Sequence, residues 1–148
     1  MNLGDSHQRF GVLWLFFGYS LALHTLDEAG HDFLAYYNPN VLAIRRAWPS
    51  FFMPILTLQS FVGILLCVLA VWLALAPLAF RRPPWLRILA VPVALLGGIA
   101  NGCAHMIASI DYRRLMPGVY TAPLILIAGI LLLRDALRSG TPARPARS

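Results

Sequence analysis

Residues 51–80 read FFMPILTLQSFVGILLCVLAVWLALAPLAF and contain no charged side chain. About 20 apolar residues in a row are enough for a helix to cross the hydrocarbon core of a bilayer. Three other runs of this chain, at about 10–28, 88–110 and 119–137, are also long and mostly apolar. The sequence therefore predicts an all-α fold, a four-transmembrane-helix bundle formed by these four runs.

The overall composition favours the same class of protein. Of the 148 residues, 59% are hydrophobic and 12% are charged, whereas roughly 25% are charged in an ordinary soluble domain. Two cysteines cannot form a disulfide scaffold for a chain of this length. The net charge of +6 comes from arginines scattered in pairs between the apolar runs. Because they form no basic stripe, we expect the lipid bilayer as partner and no nucleic acid.

The arginines also predict an orientation. Eight lie near the N-terminus, in the 81–87 loop or towards the C-terminus, and four lie on the other side of the apolar runs. By the positive-inside rule, both termini are then cytoplasmic. Residues 29–50 connect helices one and two and are rich in aromatic side chains. They are expected to lie in the membrane–water interface. Residues 1–137 would form a single transmembrane domain, followed by a disordered basic tail at 138–148.

The first apolar run has a second interpretation, as a signal peptide. Its N-terminal flank holds one arginine and one aspartate, and no small-x-small cleavage site follows it. Both features are atypical of a signal peptide, so the helix interpretation is preferred.

Polar residues within the apolar runs are the candidates for function, because ionisable groups are costly at membrane depth. His24, Asp27, Glu28 and His31 are spaced i, i+3, i+4, i+7, so a continuing helix places them on one face, which Ser20 shares. Imidazoles and carboxylates together suit a divalent metal such as zinc. The same groups also suit proton transfer, with Glu28 and Asp27 as the catalytic acids or bases. The bland alternative is a structural ion pair near a helix end.

The third run carries a similar stripe of Gly98, Asn101, Gly102 and His105. The G-x-x-x-G pattern lets another helix approach closely. Counted from the arginines that begin each helix, His24 and Glu28 lie about 22 and 28 Å deep, and His105 about 27 Å. Because these depths match, we expect one shared site near the outer face, with His24, Glu28, His105 and His31 as metal ligands. The Pro117-Gly118 break would help to close it.

These residues resemble the motifs of the HXXEE family of small bacterial membrane proteins. His24-Thr-Leu-Asp27-Glu28 corresponds to its His-x-x-Glu-Glu motif, His105 to its further histidine, and Leu115-Met-Pro117-Gly118 to its Tyr-x-Pro-Gly motif. Two positions depart from the pattern. Asp27 shortens the first carboxylate by one methylene, and Leu115 lacks the tyrosine hydroxyl, which Tyr112 or Tyr120 would have to supply. The resemblance implies a bacterial inner-membrane protein and names no reaction.

Three functions remain open from the sequence. The first is a membrane enzyme that acts on a lipid-like substrate, either through a metal or through acid/base groups. The second is a carrier or binding protein for a small molecule or lipid. The third is an accessory subunit without catalysis, whose polar face packs against a partner helix. Glu28 is the only glutamate, which excludes a di-iron site of the helix-bundle type within one protomer.

Overall fold

The computed structural model describes residues 3–138, and all regular structure in that range is helical. The predicted all-α class is therefore confirmed, while the tail from residue 139 onward lies outside the described residues. The helices, in chain order, are α1 (Leu3–Gly30), α2 (Phe33–Ala47), α3 (Leu58–Ala74), α4 (Ala76–Ala79), α5 (Pro84–Val93), a π-helical segment (Ala94–Ala100), α6 (Asn101–Asp111) and α7 (Ala122–Leu137).

Two helical stretches are long and apolar enough to cross a membrane. They are Ser6–Gly30 within α1 and the continuous helix Pro84–Asp111, which consists of α5, the π segment and α6. The helices α3 and α7 are shorter, with 17 and 16 residues, against the roughly 20 that a span requires. The structure thus supports two candidate spans, where the sequence predicts four.

The long apolar run at 51–80 does not form one helix. Pro54 lies in a non-helical segment, and α3 begins only after Thr57. The Thr57 hydroxyl accepts a hydrogen bond from the backbone N–H of Ser60, and the Ser60 hydroxyl accepts one from the backbone N–H of Thr57. This reciprocal capping fixes the helix start. At the other end, Pro77 opens the separate short helix α4, because proline cannot continue a regular helix interior.

The segment predicted to lie in the membrane interface is mostly the helix α2. The chain reverses at Asp32, whose φ of 54° is in the left-handed region. Asn38 binds the non-helical segment that follows α2. Its side chain donates a hydrogen bond to the carbonyl oxygen of Leu56 and accepts one from the Leu56 N–H. This pairing places α2 beside the start of α3, at the end of the bundle where α1 stops.

Two tryptophans join α1 to α3. The Trp14 and Trp72 rings are stacked, with centroids 3.5 Å apart and planes within 1° of parallel. Each indole N–H donates to the backbone carbonyl of the other tryptophan, both at 2.9 Å. Gly18 makes room for this pair, because a Cβ there would lie 2.6 Å from the Trp72 ring. Both indoles are buried with their polar groups satisfied.

Small residues bring the 84–111 helix against α7. A Cβ on Gly98 would lie 2.8 Å from the Cα of Gly129, and a Cβ on Gly102 would lie 2.8 Å from the carbonyl oxygen of Ala122. The predicted close helix contact at the G-x-x-x-G pattern is thus present. Gly98 belongs to the π-helical segment, which begins two residues after Pro92; proline removes a backbone donor from the helix and disturbs its regular bonding. This contact fixes the position of α6, and with it His105.

Candidate metal centre

The side chains of His24, Glu28 and His105 meet between α1 and α6. One ligand atom from each lies within 4.8 Å of the other two, and all three residues are buried. The Nε2 atom of His105 is 3.1 Å from Glu28 Oε1, and the Nε2 atom of His24 is 3.7 Å from the same oxygen. Two residues of the first predicted stripe therefore meet the histidine of the second stripe.

The orientation of His105 is fixed by the turn before α7. Its Nδ1 lies 2.5 Å from the carbonyl oxygen of Pro117. Because a carbonyl oxygen can only accept, Nδ1 carries the hydrogen. In the neutral ring, the lone pair is then on Nε2, which faces Glu28.

His24 is oriented in the same way through a hydroxyl. Its Nδ1 lies 2.9 Å from Thr121 Oγ1, and that hydroxyl donates to Asp27 Oδ2, also at 2.9 Å. The backbone N–H of Thr121 donates to the same carboxylate oxygen at 3.0 Å. Since the hydroxyl hydrogen is used towards Asp27, Thr121 Oγ1 accepts from His24 Nδ1–H, and the lone pair of His24 is on Nε2.

The arrangement of donors fits a divalent metal ion. Two imidazole lone pairs and one carboxylate oxygen face a single buried point, and His24 Nε2 is buried without a hydrogen-bond partner among the described residues. An unsatisfied buried polar atom is costly, and a cation bound at this point would satisfy it. A set of two histidines and one glutamate is a ligand set of catalytic zinc sites, with hydrogen bonds on the second nitrogen of each ring as supporting contacts.

Gly118 packs directly against both imidazoles. A Cβ at this position would lie 2.8 Å from His105 Cε1 and 3.0 Å from His24 Cε1, and the φ of Gly118 is +84°. Only glycine adopts this conformation without strain while leaving room for the rings. The Pro117-Gly118 turn before α7 therefore shapes one side of the site.

Glu28 also borders a cavity of about 210 Å³ between α1, α2 and the start of α3. Phe33 and Phe61 line this cavity, with ring centroids 5.5 Å apart, and the Phe33 ring lies 5.8 Å from the His105 ring. The cluster thus has a closed side, formed by Thr121 and the Pro117-Gly118 turn, and on another side Glu28 borders a cavity that neither histidine lines.

His31 is not brought into the cluster. It follows α1 in a turn, and its side chain is 53% exposed. Its Nδ1 lies 2.8 Å from the backbone carbonyl oxygen of Asp27, to which it donates, and 2.9 Å from Asp27 Oδ1. The Asp27 carboxylate therefore lies between His31 and Thr121 and is not part of the group of three ligand residues. Of the supporting residues, Asn101 is half-buried outside the ligand group, and the two glycines of the third run serve helix packing.

The tyrosines that flank the Pro117-Gly118 turn lie outside the ligand group. The Tyr120 ring contacts His31 at a centroid distance of 5.4 Å, and the Tyr112 ring contacts Tyr36 at 5.6 Å. The pKa of the Tyr36 hydroxyl is raised, mainly by burial and to a smaller extent by the neighbouring Tyr112. The family motif has a tyrosine where this chain has Leu115. Neither Tyr112 nor Tyr120 places its hydroxyl in the cluster instead.

Sequence reasoning missed two features. Thr121 has no pattern of its own, although a hydroxyl residue just before a helix that starts Ala-Pro is a recognisable N-cap position. The second feature is at the other end of the bundle, where the buried Asp135 pairs with Arg9 at 2.5 Å and with Arg82 at 3.4 Å. Arg82 and Arg87 also donate to the last carbonyls of α7, so some of the arginines counted for orientation cap this helix.

The family comparison agrees with the arrangement of these residues. Residues 14–132 match a family described as proteins of unknown function with an HXXEE motif. The chain belongs to this HXXEE family. The match spans α1 to α7 and so contains every residue of the candidate site. Comparisons with curated proteins and with solved structures find no match.

Proposed function

We propose that this HXXEE protein is an integral membrane metalloprotein that holds one divalent ion, with zinc as the best fit, on His24, Glu28 and His105. The observation that carries the proposal is the buried His24 Nε2, which has no hydrogen-bond partner within residues 3–138, beside a second imidazole lone pair and a carboxylate. A proton on His105 would satisfy the His105–Glu28 contact but leave His24 unpaired. A metal ion satisfies all three groups at once.

Membrane insertion is supported by the outer surfaces of the helices. Large apolar side chains there are exposed, including Ile88, Leu96 and Ile110, each at least 70%. Only 28% of the most apolar window of the 84–111 helix is buried, so lipid is the natural environment for the rest. In this proposal both termini face the cytoplasm and the metal centre lies near the outer face of a bacterial inner membrane.

For the reaction, we favour hydrolysis of a lipid-like ester or amide. Zinc with three protein ligands has a free position, where it lowers the pKa of a bound water and polarises a carbonyl group. In ester hydrolysis the water oxygen bonds to the acyl carbon, the acyl C–O bond breaks, and one water proton ends on the alcohol that leaves. The cavity that Glu28 borders would hold part of such a molecule beside the ligand group. The second candidate function is that the protein binds or carries the same molecule without cleaving it. The cavity beside Glu28 is the observation that favours this function.

Metal content decides the core of the proposal. Full-length protein would be purified in detergent after growth with added zinc, and its metals measured by mass spectrometry. We expect one zinc per chain, with His24→Ala, His105→Ala and Glu28→Gln each reducing the content to near zero. His31→Ala serves as the matched histidine control and should keep the metal.

Two results would overturn the metal assignment. The first is folded wild-type protein that binds none of zinc, manganese or iron. The second is zinc that stays bound in all three ligand variants. If zinc binds but no long-chain ester or amide is cleaved, the metal site stands and the binding function replaces the hydrolase.

A further inference from the structure

An apolar groove runs along the bundle next to the candidate metal centre. It lies between α1, from Leu21 to Ala29, and α3, from Val62 to Leu69, and has a volume of about 230 Å³. Thr25 is its only polar lining residue. From Leu21 to Ala29 the groove follows about 12 Å of helix, at 1.5 Å per residue. Its shape and lining suit a hydrocarbon chain.

The groove adjoins the cavity beside Glu28. Ala29 lines both spaces, the groove on one side and the cavity on the other. The cavity differs in character, because Glu28 and Asp32 line it and no basic residue does. This lining offers a phosphate or free carboxylate head group no arginine or lysine partner, and the charge of Asp32, which is not a metal ligand, repels it.

Because the two spaces share Ala29 as a lining residue, we infer the substrate class: a single-chain amphiphile whose hydrocarbon chain lies in the α1–α3 groove and whose uncharged head group lies in the cavity beside Glu28. The inference deepens and rests on the proposed function, since the head group must carry the carbonyl that reaches the metal. Monoacylglycerols and long-chain amides have this chemistry, whereas anionic lysophospholipids do not.

The test uses photo-crosslinking on full-length, zinc-loaded protein in detergent. The probe is a monoacylglycerol with a diazirine in its acyl chain, and a monoacyl phosphate with the same chain is the anionic comparison. Labelled peptides are mapped by mass spectrometry. We expect labels at residues 21–29 and 62–69, and clearly weaker labelling there by the anionic probe.

Ala22→Trp fills the groove without touching the metal ligands. It should reduce groove labelling about tenfold, equivalent to about 1.4 kcal/mol, while zinc content stays at the wild-type level. Ala104→Trp on the exposed face of α6 is the matched control and should label as the wild type does. Ala29→Ile is a smaller change in the same groove, for use if Ala22→Trp does not fold.

The outcomes separate the two proposals. Labels spread over the outer surfaces of the wild-type helices, or equal labelling of Ala22→Trp and Ala104→Trp, overturn the groove assignment and leave the metal centre intact. Stronger labelling by the monoacyl phosphate overturns the uncharged head group. Groove labelling in a protein that binds no metal would instead remove the metal function and keep the amphiphile site.

Discussion

Replacing Thr121 by valine tests whether the site is built as a metal centre with supporting contacts. Valine has nearly the same shape as threonine but no hydroxyl, so His24 Nδ1–H loses its acceptor, and Asp27 Oδ2 keeps only the backbone N–H of residue 121. The imidazole is then free to turn away from the point shared with Glu28. Loss of such an outer contact typically weakens metal binding 10- to 100-fold, or about 1.4 to 2.7 kcal/mol.

The assay is a competition titration, in which a colorimetric chelator and the purified protein compete for zinc. Thr121→Val should lose about one to two orders of magnitude in affinity, with His24→Ala as the reference for a missing ligand. Thr121→Ser keeps the hydroxyl and should bind within about threefold of the wild type, because the same two hydrogen bonds can form.

The hydrogen bond from the Thr121 hydroxyl to Asp27 also predicts that the two residues are coupled in zinc binding. If the hydroxyl acts by linking His24 to the Asp27 carboxylate, Thr121→Val should cost much less zinc affinity in an Asp27→Asn background than alone. The interpretation is refuted if Thr121→Val binds zinc as the wild type does, or if serine is as weak as valine. Equal losses from Thr121→Val in both backgrounds would show that the hydroxyl acts independently of Asp27.

Three further changes test other parts of the structure. Gly118→Ala should weaken zinc binding in the same titration and lower the free energy of unfolding by about 1–2 kcal/mol, because the left-handed backbone strains a Cβ and this Cβ would press on both imidazole rings. Trp14→Phe removes the indole N–H that donates to Trp72 O, and should cost about 1–3 kcal/mol in denaturant unfolding with no change in zinc content; unchanged stability would contradict the role of the paired rings. Asp135→Asn leaves the buried Arg82 without its carboxylate partner. The variant should lose about 2 kcal/mol or more of unfolding free energy, measured by thermal unfolding. A variant as stable as the wild type would show that the hydrogen bonds to the α7 carbonyls are enough to hold the arginines.

The sequence predicts the centre of the site better than its surroundings. The spacing of His24 and Glu28 depends only on helix periodicity, and the match with His105 depends only on the rise per residue from a flanking arginine. Both quantities are nearly constant in a regular α-helix, so the spacing of His24 and Glu28 carries over directly. Between Arg87 and His105 the π-helical segment Ala94–Ala100 departs from them, although the helix stays continuous. His31 lies one residue beyond the end of α1, where the helical period no longer applies, and its side chain turns to Asp27.

Apolar runs are a poorer guide to helix bounds than to helix existence. Residues 51–57 are almost as apolar as α3, yet Pro54 and the reciprocal capping of Thr57 and Ser60 keep them out of the helix. Hydropathy measures how favourably a side chain leaves water. It does not indicate at which residue the backbone hydrogen bonds of a helix begin. Contacts such as Trp14 with Trp72, and Thr121 with Asp27, join residues 58 and 94 positions apart. A single sequence holds no local signal for such pairs.

The two acids of the His-x-x-Asp-Glu stretch have different partners, which makes the separate motifs one structural unit. Glu28 faces the imidazole of His105, while Asp27 binds the backbone and hydroxyl of Thr121, just after the Pro117-Gly118 turn. That turn in return accepts from His105 through the Pro117 carbonyl. Each motif therefore orients a residue of another one, so the ligand geometry is fixed only when α1, α6 and the turn before α7 are all in place. Because the first acid supports the turn and does not face the shared point, the aspartate at this position is compatible with an intact ligand set.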